Sequence, residues 1–239
     1  MTIHYFGADI SPRSVLYTLA GKHFCVSFEY SGNTEVCHRI GSSVMLDNGA
    51  YTFWRNHGCR EDWTPYYDWV RPWLEVATTW AVIPDVIDGD EAMNNQLIGA
   101  WYHALGNYRR AAPVWHLDES FPRLERLSRN FERICIGSAG AFAEIGSDAW
   151  NNRMNETFNF LCKGSGYPPC WVHMLRGMQL STSIYPFHSV DSSSIARNYR
   201  RDQKVDGKTP SEMMNDWESR QCPIRWTEVP VRQSLFEKV

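Results

Sequence analysis

Short runs of apolar and aromatic residues recur along this chain, each ending on a polar residue, and most give way to an amphipathic stretch. Eight of them read as strands: "IHYFGA" (3–8), "FCVSFEY" (24–30), "SVMLD" (43–47), "TWAVIPD" (79–85), "APVWHL" (112–117), "RICIGS" (133–138), "CWVHML" (170–175) and "IYPFHSV" (184–190). Strands that are apolar along nearly their whole length are buried on both faces, as in a parallel sheet covered by helices. The segments between them, among them "DEAMNNQLIGAWYHALG" and "SDAWNNRMNETFNFLCKG", carry helical periodicity, and several start on Ser or Asp as N-caps do. Eight such units in 239 residues predict an α/β fold, a (β/α)8 TIM-type barrel, with an open doubly wound sheet as the competing architecture. The second and seventh connections are too short or irregular for full helices. A single catalytic domain is expected over 1–208, with a C-terminal helix and tail, 209–239, packed on the barrel.

Composition narrows the functional classes. A net charge of −3 argues against coating nucleic acid through bulk electrostatics, although a local basic patch is compatible with it. No run approaches the ~18 apolar residues of a membrane span, and "MTIHYFGADI" lacks the layout of a secretory signal, so a cytoplasmic location is expected. The seven cysteines form no CxxC and read as reduced, mostly core thiols. With 11 tryptophans, most aromatic rings belong to the core and some are available to line a pocket for a flat ligand.

In a parallel barrel the strand C-termini form the face that carries chemistry. The residues falling there are Asp9, Glu29, Asp47, Asp85, His116 with Asp118, Gly137 with Ser138, Arg176 and Asp191. A single acid in such a position is most often a cap or turn former, a reading that suits Asp9 and Asp118. Asp47 fits it less well: "LDNGAY" follows it with Asn48 and Gly49, and no helix is expected to start at once. In "SVDSSS" the serines are free to cap a helix, which releases Asp191. Two carboxylates across a barrel mouth are the minimal equipment for cleaving a glycosidic bond.

The order of these motifs over roughly 43–198 resembles the tRNA-guanine transglycosylase superfamily, most of all its short members that place 7-deazaguanine bases in viral DNA. "DNGAY" (47–51) is similar to the family's Asp-Ser-Gly-Gly/Ala-Phe loop, and "IPDVID" (83–88) to its strand-4 acid segment. "PVWHLDE" (113–119) takes the place of its Val-Gln-Gly segment, with His116 where an amide is usual. "ICIGSAGAF" (134–142) resembles its Gly-rich turn, "VHMLRGMQ" (172–179) its His-x-Leu-x-Gly strand, and "FHSVDSSS" (187–194) its nucleophile strand. The resemblance implies Asp191 as nucleophile, Asp47 handling the base or its proton, and Asn48, Gly49, Asp85, His116, Gly137 and Ser138 binding the base. It implies exchange of guanine for a free, preQ0-like 7-deazaguanine through a covalent aspartyl-sugar intermediate.

The zinc-binding Cys-x-Cys-x-x-Cys motif of the tRNA enzymes has no counterpart, since only Cys222 lies in that region. No zinc subdomain, metal or cofactor is therefore expected, and DNA is preferred over tRNA as acceptor, placing the protein in a host cytoplasm if it is viral. A flipped base needs a stacking partner, for which Tyr51, Phe53, Trp54 and Phe142 are available. Arg197, Arg200, Arg201 and Lys204 are candidates for the nucleic-acid backbone, balanced against a solvated helix face. Arg109 and Arg110 precede a strand and belong to the opposite face. The competing functions are tRNA modification, hydrolysis as an N-glycosidase or nucleosidase, and a catalytically silent nucleic-acid-binding barrel.

Overall fold

The computed structural model describes residues 1–106 and 110–230. Nine parallel strands form one sheet: β1 (Ile3–Gly7), β2 (His23–Ser27), β3 (Ser43–Asp47), β4 (Thr79–Val82), β5 (Ala111–Ala112), β6 (Val114–His116), β7 (Arg133–Gly137), β8 (Trp171–Met174) and β9 (Ser189–Ser192). Their order is β5-β4-β3-β2-β1-β9-β8-β7-β6. The two end strands are neighbours in the chain, separated only by Pro113, which has no N–H to give to a ladder. Ala112 O accepts from Ile83 N on one side and Pro113 O accepts from Cys135 N on the other, both at 2.9 Å. The sheet thus curls into a nearly closed parallel barrel with helices, compatible with a TIM-type barrel.

The helices are α1 (Arg13–Tyr17), α2 (Thr34–Ile40), α3 (Ala50–His57), α4 (Thr64–Val70), α5 (Glu91–Leu105), α6 (Phe121–Asn130), α7 (Asp148–Leu161), α8 (Ser194–Asp206) and α9 (Pro210–Glu218). Asp90, Ser120 and Ser147 cap α5, α6 and α7 through their side chains, and Thr209 with Glu212 forms a capping box on α9. The second connection holds α2, whereas the seventh contains only a 3-10 turn at Met178–Leu180. The eighth strand starts later than its apolar run predicts. Pairing begins at His188, whose N–H donates to Val172 O, and Pro186 sits in the segment before it. Asp191 therefore lies within β9 instead of after it.

Two cores result. Inside the barrel, Tyr5, Met45, Trp80, Val82, Val114 and Cys135 pack together, and the Tyr5 hydroxyl accepts from Trp80 Nε1 at 2.9 Å. Between barrel and helices, residues of opposite parity such as Phe24, Leu46 and Ile136 meet the fully buried Trp101 and Trp150. The C-terminal segment through residue 230 docks outside: Lys22 Nζ meets Asn215 and Glu218, and Trp226 stacks on Tyr185 at 5.8 Å. The remainder of the predicted tail, like Arg109, lies outside the described residues. Arg110 donates to Leu74 O.

Arg123 is buried to 1% exposure beside Glu119, and Nη1 donates both to that carboxylate and to Val114 O. Removing one member of a buried pair strands the other charge. Glu119→Ala is therefore expected to cost about 3–5 kcal/mol in denaturant unfolding. Asp216→Ala, which breaks the half-exposed pair with Lys208, is expected to leave the unfolding transition close to that of the wild type.

Candidate active site

Successive residues of a strand point to opposite faces, so the inward-facing set of each strand is fixed once one member is known. Met45 and Val114 face the barrel interior, hence so do Asp47 and His116 two residues on; Cys135 likewise places Gly137. Asp191 shares its face with Ser189, whose Oγ meets His173 inside the barrel. These top-layer residues open onto a cavity of about 600 Å³ at the strand C-termini. Asp47, Asn48, Asp85, His116, Gly137, Ser138, Asp191 and Arg197 all line it.

Asp191 is 9% exposed, and its Oδ1 accepts from Arg176 N at 2.8 Å and meets His173 Nε2 at 3.2 Å. Among the described residues Oδ2 has no hydrogen-bond partner. Arg176 reaches this position through a left-handed backbone, φ 56°, that aims its N–H at the carboxylate. Its side chain lies 4.3 Å over the Tyr51 ring and donates to Ser138 O at 3.3 Å.

Asp47 ends β3, separated from β9 by β2 and β1, and lines the same cavity. Contrary to expectation a helix does start at once, because Gly49 adopts φ 74° and α3 begins at Ala50. A Cβ on Gly49 would also approach Glu29 Cγ to 2.8 Å. Asp47 Oδ2 accepts from Gly49 N at 3.1 Å. Burial, then the charge of Asp191 and more weakly that of Asp85, push the Asp47 carboxyl up to about 7.

The third element is a hydrogen-bonded wall. Asp85 Oδ1 accepts from Asn48 Nδ2 at 2.8 Å, and Oδ2 meets His116 Nε2 at 2.9 Å. The second Asn48 amide proton goes to Ile83 O and its Oδ1 accepts from Ala50 N, so this side chain orients Asp85 and keeps no free donor. Burial alone would lower the His116 pKa, but the Asp85 hydrogen bond and the charges of Asp85, Glu119 and Asp118 raise it. Gly137 lets this ring pack close: a Cβ there would meet His116 Cδ2 at 2.6 Å. Ser138 Oγ accepts from Trp150 Nε1 at 2.9 Å.

Other expectations fare differently. Asp9 and Asp118 cap no helix, since Pro12 and Ser120 hold those positions; Asp118 sits in the turn after β6, as the turn-forming reading has it, and Asp9 lines the cavity instead. Of the four candidate backbone cations only Arg197 lines the cavity. Arg200 donates to Ser11 O, Arg201 pairs with Asp202, and Lys204 is exposed in the last turn of α8. Of the four candidate stacking residues Tyr51 lines the cavity, together with Tyr30, and Phe53, Trp54 and Phe142 do not. Cys25 lines it too, but burial first and then Asp191 raise its thiol pKa well above the usual range, which removes it as a nucleophile. Cys59 departs from the core reading by being exposed. Among the described residues no cluster of His, Cys, Asp and Glu is arranged to hold a metal, and no helix is long and apolar enough to cross a membrane.

Strand-end spacing did not assign the roles of His173, Arg176 or Arg55. His173 lies within its predicted strand, three positions before Arg176; Arg176 reaches Asp191 through its backbone; and Arg55 is on α3, away from any strand end. The chain matches no protein-family model, no curated protein and no solved structure.

The Asp47 shift fixes a pH dependence. An acid whose pKa is higher folded than unfolded binds its proton more tightly in the fold, so stability falls as pH rises from about 4 to about 7. Asp47→Asn is expected to unfold above the wild type at pH 8, by on the order of 5 °C, with the difference vanishing near pH 4. Calorimetric scans across that range check it.

Proposed function

We propose that the protein is a base-exchange transglycosylase that replaces guanine in nucleic acid, DNA in preference to tRNA, with a free 7-deazaguanine of the preQ0 type. Counting β5 and β6 as one strand interrupted at Pro113, its scaffold is a (β/α)8 barrel. The observation that carries the reading is the unequal pair of carboxylates on one cavity: Asp191 with one oxygen tied to two N–H groups, Asp47 with its pKa raised to about 7.

The unengaged Oδ2 of Asp191 attacks C1′ of the sugar. A C–O bond forms as the C1′–N9 bond breaks, and the bonding pair leaves with guanine, which takes the proton carried by Asp47. The incoming base returns a proton to the Asp47 carboxylate, its ring nitrogen bonds to C1′, and Asp191 departs as a carboxylate. A group titrating near neutral pH is suited to give and then accept that proton. Asp85 and His116 face the same cavity from the adjacent wall, where they can hydrogen-bond the polar edge of a purine. The remaining lone pairs of Asp85 serve as acceptors there, and the Gly137 and Ser138 backbone lies alongside. Tyr51 is the ring best placed to stack on the base.

The test is incubation with DNA or tRNA and labelled guanine, followed by recovery of the polymer. Label should enter DNA, and Asp191→Asn should reduce its entry by about three orders of magnitude or more while the thermal midpoint stays close to wild type. Release of guanine without incorporation would make the protein a hydrolase. Unchanged behaviour of Asp191→Asn would leave a silent binding barrel.

A further inference from the structure

We propose that the rim of the cavity holds one phosphate group of a nucleotide, gripped by Arg55, Arg176 and Arg197. The three come from different elements, α3, the turn after β8, and α8, and all line the one cavity. Several arginines elsewhere are matched with acids, among them Arg60 with Glu29, Arg123 with Glu119 and Arg153 with Glu156, and others, such as Arg110 and Arg200, spend their donors on backbone carbonyls. Among the described residues none of the three rim arginines has such a partner. Three exposed guanidinium groups without an acid partner line one cavity, and an anion bound there would take up their charge and their free donors.

The surroundings favour phosphate. Arg176 is already oriented, its plane over Tyr51 and one nitrogen on Ser138 O, so it presents its remaining donors with little further ordering. Arg55 lies one turn beyond Tyr51 on the same face of α3. Across the mouth, Ser193, Ser194 and Arg197 bring the N-terminal turn of α8, a helix of 13 residues, to the same cavity. There the end of the helix dipole adds positive potential. Bidentate guanidinium forks match the tetrahedral oxygens of a phosphate.

The cavity is polarised: the acids Asp47, Asp85 and Asp191 are set in its wall, and the three exposed arginines lie on its lining together with one exposed acid, Asp9. A nucleotide fits that polarity with base and sugar toward the three wall acids and phosphate toward the arginines. The inference rests on the transglycosylase reading for what lies inside, but it assigns a separate group at the rim. It also narrows the substrate class: a nucleotide unit is bound, and a bare nucleoside lacks the group that the rim recognises.

Calorimetric titration with guanine, deoxyguanosine, deoxyguanosine 5′-monophosphate and a short single-stranded DNA containing one guanine tests this. The wild type should bind the phosphate-bearing ligands about tenfold or more tighter than deoxyguanosine. The double variant Arg55→Ala/Arg197→Ala should abolish that ratio and leave guanine binding unchanged. Arg129→Ala, which removes a charge from the outer surface, should preserve it. Tighter binding of the oligonucleotide than of the monophosphate assigns the phosphate to a chain; equal binding assigns it to a free nucleotide. A wild-type protein that does not distinguish nucleoside from nucleotide overturns the clamp, as does a ratio that survives in the double variant. Failure of guanine itself to bind, with the phosphate preference intact, overturns the base-exchange reading and leaves the clamp standing.

Discussion

Closure of the sheet at Pro113 is the constraint on which the site depends. In an open sheet, inward positions on β3 and β9 would be separate features on one broad face. Here the strand that starts against β4 finishes against β7, and inward-pointing residues from all around the sheet converge. Below them the barrel is filled by Tyr5, Met45, Trp80, Val82, Val114 and Cys135, which raises the floor and keeps the polar layer at the mouth. Gly7 and Gly137 occupy top-layer positions without side chains, and both are closely approached by neighbours, Ser193 and His116 respectively. The cavity is therefore bounded from below by packing and at the sides by residues drawn toward it.

Within that frame, orientation of Asp191 is transmitted from an indole at the edge of the barrel. Trp171 Nε1 can only donate, and it meets Ser189 Oγ at 2.8 Å. Ser189 Oγ in turn meets His173 Nδ1, also at 2.8 Å. The other ring nitrogen, Nε2, faces Asp191 Oδ1, and since a carboxylate only accepts, the proton of that contact sits on Nε2. Each partner touches the next, and the chain ends on that carboxylate. With Arg176 N on the same oxygen, the carboxyl plane is set from two directions before any ligand arrives. The raised Asp47 pKa follows from the same crowding, since two acids facing one cavity cannot both ionise cheaply.

Much of this was legible in the chain, because strand ends are marked by a change from apolar to polar residues. That signal located Asp47, Asp85, His116 and Asp191 and predicted a parallel barrel. It failed where the backbone, not the side-chain pattern, decides. The aromatic run at 184–190 reads as a strand, yet Pro186 delays pairing and shifts β9 onto the acid itself. The start of α3 was hidden because Gly49, in a left-handed conformation and with no capping side chain, looks like a loop residue. Arg176 presents an ordinary charge in sequence, and only its positive φ gives it a role toward Asp191. Asn48 shows the converse: its position beside the acid was visible, but both amide protons are consumed in holding Asp85 and Ile83.

The distribution of strain and burial also separates what serves the fold from what serves the cavity. The Glu119 and Arg123 pair lies behind His116, with Glu119 accepting from the His116 N–H and from Asn94 Nδ2. Asn94 in turn accepts from Val86 N, which follows Asp85. A network of this kind is expensive to bury and is stable only when every member is matched. Its position directly behind the Asp85–His116 wall means that the same hydrogen bonds that satisfy buried charges also hold that wall against the barrel. By contrast, the half-buried Asp47 with its raised pKa and the left-handed Arg176 are each unfavourable taken alone, and both border the cavity. These two unfavourable local choices thus lie at its edge, while α5 and α6 behind the wall supply the rigidity that keeps it in place.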